Sequence, residues 1–332
     1  GGAPSLSVGR LLDAATGAFS LTGNAAGLAD TERLAADTGS FALTGNDATV
    51  RREYALTAET GTFSFTGQPA TLRHNPKAEA ASGTFALTGG APALLLGRYL
   101  SGGAGEFIET GQPATFRRTW AITATAGAFT FTGNAAALTE VGAYEIDAAA
   151  GSFALTGQSA QLAQTQSLIA DRGQFALSGQ QSALQQGYRL AGDTGAFALT
   201  GNNATLTKTA AAELTADAGA FTLASNGATL SRSRLFLADR GQFALTGQSA
   251  SLLQGRRTTG DQGQFLLTGN PAAFTAARSL LGATGAFTFT GNPAGLSDTD
   301  QLDAAAGIFT LTGNNATLIK ASTARRRNVL IF

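Results

Sequence analysis

A phenylalanine returns at fixed intervals almost from end to end of this 332-residue chain: Phe19, Phe41, Phe63, Phe85, Phe107, Phe129, Phe153, Phe175, Phe197, Phe221, Phe243, Phe265, Phe287 and Phe309. Eleven of the thirteen intervals are 22 residues, and two, 129 to 153 and 197 to 221, are 24. A period of this size means a stack of equivalent units, because one unit cannot bury its apolar face until a neighbour covers it. With Phe at position zero, Gly stands at −2 in every copy and at +4 in every copy but one, where Ser225 replaces it. Asn or Gln follows at +5, with Gly90 the exception. Residues 195–206, GAFALTGNNATL, show the pattern in full.

Within a copy the apolar and small residues fall into three pairs, at −7/−5, 0/+2 and +7/+9. Leu34, Leu56, Ile122 and Leu190 hold −7; Leu43, Phe65 and Leu199 hold +2; Leu28, Leu72, Leu206 and Leu318 hold +9. Ala dominates at −5 and +7. Members of a pair are two residues apart, the period of a half-buried strand, and no apolar periodicity of a helix competes. The pairs are separated by five or six residues, so the alternation breaks at three corners. One copy therefore reads as three short strands and three bends, and the conserved spacing of Gly at −2 and +4 predicts positive φ at two of the bends.

The fold class predicted is all-β: a repeat β-solenoid of about 14 triangular 22-residue coils, with equivalent strands stacked in parallel. At a strand spacing of ~4.8 Å such a stack is a rod on the order of 65–70 Å long. The alternative is a stacked β-hairpin array in which the Gly–Asn pair forms the turn, pairing Thr200 with Asn203 and Phe197 with Leu206. The solenoid is preferred because it makes every copy equivalent, as the columns require.

The solenoid array is expected over residues 1–321, with 322–332 as a C-terminal end-piece. The first residues fall in mid-repeat: Gly1-Gly2-Ala3-Pro4 matches Gly89-Gly90-Ala91-Pro92, so more repeats are expected upstream. After Leu318 the columns fail, and Arg325-Arg326-Arg327 leads into the apolar Val329, Leu330, Ile331 and Phe332. Those four residues are candidates to cover the open edge of the stack or to pair with a neighbouring subunit.

Individuality collects in one corner, between +9 and the next −7, where both two-residue insertions fall. Tyr54, His74, Tyr99, Arg117, Arg118, Trp120, Tyr144 and Tyr188 all lie there. Variable, charged and aromatic loops on one edge of a regular scaffold are where binding usually sits, so these eight residues form the candidate surface-binding corner. By contrast, positions −1, +1 and +3 are almost all small and uncharged, Glu106 apart, which suggests surface covered by sister chains. A third face is acidic: position −4 holds Asp37, Glu59, Asp171, Asp193, Asp217, Asp239 and Asp261. Each is expected to cap its bend through backbone N–H groups, with cation binding at Asp171, Asp193, Asp217, Asp239 and Asp261 as the weaker alternative.

Composition removes several classes of function. The chain has no Cys and one His, which excludes disulfides, thiolate metal sites and a His cluster and makes a Ser–His triad improbable. The glycines are spaced by the repeat and form no phosphate loop. Formal neutrality argues against nucleic acid as the main partner, and no window is apolar enough for a membrane span. No enzyme and no cofactor are expected.

Copies such as residues 241–252, GQFALTGQSASL, resemble the GxFxLTG[NQ]xAxL repeats of bacteriophage and prophage proteins, notably from alphaproteobacterial hosts. The resemblance implies a fibre-like virion appendage at the cell exterior, without functional residues to transfer. The function expected is thus a structural fibre or filament subunit, packing laterally with sister subunits and meeting a host receptor or other virion proteins. The alternatives are a host-surface or carbohydrate-binding adhesin using the aromatic corner, and an ice-binding solenoid using the Thr-x-Thr pairs Thr130/Thr132, Thr288/Thr290 and Thr310/Thr312.

Overall fold

The computed structural model describes all residues except 1–4, 8–10, 30–32, 52–54, 74–76, 96–98, 118–120, 140–144, 208–212, 261, 276–278, 283, 305–306, 326–328 and 332. The described residues are strands and bends, with no helix and therefore none long and apolar enough to cross a membrane. They divide into two compact units, Gly1–Gln164 and Thr165–Phe332.

In the first unit each copy contributes three strand segments, two of them continuous in Ala18–Ala29 and in Ser40–Arg51, and each segment pairs in parallel with its equivalent one repeat away. On the Phe side, Phe41, Phe63, Phe85, Phe107, Phe129 and Phe153 follow one another in register. On the lead-in side, Leu34, Leu56, Ala78, Leu100, Ile122 and Ile146 do the same. On the return side, Leu72, Leu94, Phe116, Leu138 and Leu162 complete the third ladder. The second unit repeats the arrangement, with the Phe ladder running from Phe175 to Phe309 and the return ladder from Leu184 to Leu318. This is a β-solenoid. The described residues amount to about ten turns, slightly fewer than the fourteen phenylalanines predict, and several copies have a corner outside the described residues.

The hairpin array is ruled out by these registers. The strand Ala196–Thr207 passes straight through the Gly–Asn corner, with Gly201 paired in parallel to Gly179 on one side and Ser225 on the other. A hairpin would turn the chain back on itself and remove Phe197 from its stack. The parallel stack keeps both edges of the strand hydrogen-bonded and every Phe on the next.

The three pairs read from the sequence form the core. In one copy Leu34, Ala36, Phe41, Leu43, Ala48 and Val50 are all buried. Burying each Phe or Leu contributes roughly 1.5–3 kcal/mol. The rings also meet one another: centroids are 5.5 Å apart for Phe41 and Phe63, 4.8 Å for Phe107 and Phe129, and 5.6 Å for Phe175 and Phe197. Those separations lie in the range where aromatic pairs gain about 0.5–1.5 kcal/mol beyond burial.

The glycine columns have a different cause from the one the sequence suggests. No glycine among the described residues has positive φ. What demands glycine is the stack itself. The carbonyl of Gly39 accepts the N–H of Thr62 at 3.1 Å, and a Cβ on Gly61 would run into that same carbonyl oxygen. The +4 column works alike: a Cβ on Gly45 would strike the carbonyl of Gly23, and one on Gly133 that of Gly111. Where Ser225 breaks this column, its hydroxyl accepts the Ala204 N–H at 3.1 Å.

The C-terminal residues continue the ladder. Strand Ala316–Arg325 keeps the 22-residue register, Leu302 pairing with Ala324. Strand Val329–Ile331 then pairs with the last Phe strand, Phe309 opposite Val329 and Leu311 opposite Ile331. The Gly and Phe columns are absent there, and the interval from Phe309 to Val329 is 20 residues instead of 22.

Candidate functional site

The variable corner is only partly described. Tyr54, His74, Arg118, Trp120 and Tyr144 lie outside the described residues, as does Phe332 at the end-piece. Arg117 and Tyr188 fall in the strands Ala114–Arg117 and Gln174–Gly192. Tyr99 opens the strand Tyr99–Gly102, in register with Lys77 before it and Ala121 after it. It is 55% exposed, one of three large apolar or aromatic side chains standing in solvent among the described residues. Val329, Leu330 and Ile331 pair with Phe309, Thr310 and Leu311 of their own chain.

The acidic column closes its bends differently from the expectation. The main-chain carbonyl of the −4 residue accepts the N–H at −3 of the next copy: Asp37 from Thr60 at 2.8 Å, Asp171 from Thr194 at 2.7 Å, Asp193 from Ala218 at 2.6 Å. Where −3 is Thr its hydroxyl adds a second bond, from Thr60 to the Asp37 carbonyl and from Thr194 to the Asp171 carbonyl, each at 2.9 Å. The carboxylates of Asp37, Glu59, Asp171, Asp193, Asp217 and Asp239 stand outside this network, half-buried or exposed. Asp261 lies outside the described residues, and no group of three or more metal-ligating side chains occurs among those described.

A concave feature lies elsewhere among the described residues, on the +3 to +5 corner of the first unit. An open groove of about 910 Å³ runs past six successive copies, from Gly45 and Asn46 to Thr156, Gly157 and Gln158. It has two rails and a floor. Thr66, Thr88, Thr110 and Thr156 line one rail with exposed hydroxyls; Asn46, Gln68, Gln112, Asn134 and Gln158 line the other with exposed amides. Glycine forms the floor between them: a Cβ on Gly45, Gly67, Gly89, Gly111, Gly133 or Gly157 would crowd the neighbouring copy. The rails are positioned by the ladder: Thr66, Thr88 and Thr110 are paired in register with one another. Every lining residue is Thr, Gly, Asn or Gln, so the groove carries no charged side chain.

Sequence reasoning assigned this corner to the uniform scaffold and missed the groove. The signal was present in the Thr–Gly–Asn/Gln triplet, two polar side chains flanking a residue without one. It becomes a site only when six copies 22 or 24 residues apart are placed side by side. A second feature also went unread. Glu109 occupies the inward +2 column between Leu87 and Phe131 and is 3% exposed, a carboxylate where the other copies carry an apolar side chain. Comparison with family models, with curated proteins and with solved structures finds no match to this chain.

Proposed function

We propose that this chain is a structural subunit of a fibre or filament, of the kind a bacteriophage carries as a tail or head appendage on the virion surface. The supporting observation is the outward side of the Phe strands. Ser40, Ala42 and Thr44 lie in register on Thr62, Ser64 and Thr66, and these on Thr84, Ala86 and Thr88. An uncharged surface of short side chains can lie against its own copy without desolvating ions or ordering long side chains. The partners in this reading are sister chains and other virion proteins, with no catalytic step, nucleic acid or cofactor.

Electron microscopy of the native source tests it. Regular fibres decorated by an antibody to this chain are the expected result. A compact globular monomer in small-angle scattering of the purified protein ends the reading. The exposed Tyr99 favours a second role, a receptor-binding or carbohydrate-binding surface on the variable corner. Binding on a glycan array that is lost in Trp120→Ala supports that role, and silence across broad arrays counts against it.

A further inference from the structure

The groove on the first unit shares its Thr rail with the small-residue side of the Phe strands and lies apart from the variable corner, and its lining restricts what it can hold. No cation is present to recruit a phosphate, a nucleic acid or an acidic peptide, and no carboxylate to hold a metal ion. A peptide strand cannot be added by β-augmentation, because main-chain groups of this corner already bond from copy to copy. Gln68 N–H donates to the Asn46 carbonyl at 2.6 Å, and Gln112 N–H to the Gly90 carbonyl at 2.9 Å.

What the groove offers is side-chain hydroxyls and amides, groups that both donate and accept. Among the described residues only one pair of rail amides is closed on itself, Asn134 Nδ2 donating to Gln112 Oε1 at 3.1 Å. The amides of Asn46, Gln68 and Gln158 keep their donors and acceptors. The rail is also interrupted once. At Gly90 a Cβ would meet nothing nearer than Gln68 Cγ at 3.5 Å, so a gap the width of a side chain opens between Gln68 and Gln112. The six copies span about 24 Å at the strand spacing.

We propose that this groove binds a linear, uncharged, hydroxyl-rich polymer, a neutral oligosaccharide lying along the stack with one ring seated in the gap at Gly90. Its hydroxyls would exchange hydrogen bonds with Thr66, Thr88, Gln68 and Gln112. The proposal concerns the single, unassembled chain, and its site is separate from Tyr99.

Titration calorimetry of the whole chain with cellohexaose, laminarihexaose and maltohexaose, each beside its sulfated form, tests it. Saturable binding of at least one neutral hexasaccharide is expected. The triple variant Gln68→Ala, Thr88→Val, Gln112→Ala should weaken it at least about tenfold, the loss of roughly 1.4 kcal/mol. Gly90→Gln restores the column's amide, fills the gap and should weaken binding too; it also serves as the second variant if the triple one fails to fold. Leu253→Ala, at an exposed side chain of the second unit, should leave affinity unchanged. No binding of any neutral probe at millimolar concentration, a preference for the sulfated forms, or binding lost in Tyr99→Ala but unmoved by Gly90→Gln overturns the proposal.

Discussion

Gly61 and Gly90, in neighbouring copies of the repeat, illustrate glycines with opposite physical meanings. A Cβ at Gly61 would collide with the carbonyl of Gly39 and stand 2.7 Å from that of Ala36, whereas at Gly90 it would touch only the Gln68 side chain. Gly61→Ala should therefore force two coils apart and cost about 1–3 kcal/mol, as overpacking does. Gly90→Ala should leave stability unchanged or raise it by up to about 1 kcal/mol, since the unfolded chain loses freedom. Denaturant midpoints of the two variants check this. The phenylalanines give a second residue-level prediction. Phe63 is fully buried, with ring centroids 5.5 Å from Phe41 and 5.6 Å from Phe85. Phe63→Ala should cost about 3–5 kcal/mol. In a stack bound by nearest-neighbour contacts the loss is local, so amide exchange should rise most in Ser40–Arg51 and Thr84–Gly89.

At the scale of the strand, the C-terminal piece shows how far the sequence can be read. The three strands per copy, their inward residues and their parallel stacking follow from two-residue spacings that any copy displays. The role of glycine does not, because the atom that forbids a Cβ belongs to a residue 22 positions away and only the stacked structure brings it near. The same limit hid the groove. The strand Val329–Ile331 is legible only as an apolar segment able to cover an edge or pair with a neighbour: with three residues, no Gly and an interval two residues short, it carries none of the column's marks. Its pairing predicts that truncation after residue 328 exposes the outer edge of Ile308–Thr312. Hydrogen exchange should then speed up in that strand while Ala286–Thr290, still paired on both sides, stays protected. Unchanged protection in Ile308–Thr312 would mean that the end strand does not cover that edge.

For the whole molecule, the proposed lateral assembly makes the uncharged side of the Phe strands the surface to perturb. Ala42→Lys with Ser64→Lys places like charges on adjacent coils of that side, at positions that are only half-buried in the single chain. The variant should keep its β circular dichroism and lose the native assembly, read as a drop to monomer mass in sedimentation. Assembly that persists would move the contact to another side. Beneath that proposal lies the stacking itself, on which the groove, the glycine clamps and the ring ladder all depend. The chain contains no cysteine, so paired spin labels can be placed without background. Labels on Thr22 and, in turn, Thr110, Thr132 and Thr156 sit four, five and six coils apart by register. Parallel stacking predicts distances that climb in equal steps, from about 19 through 24 to 29 Å. Distances that alternate, or fail to grow with coil number, would contradict it.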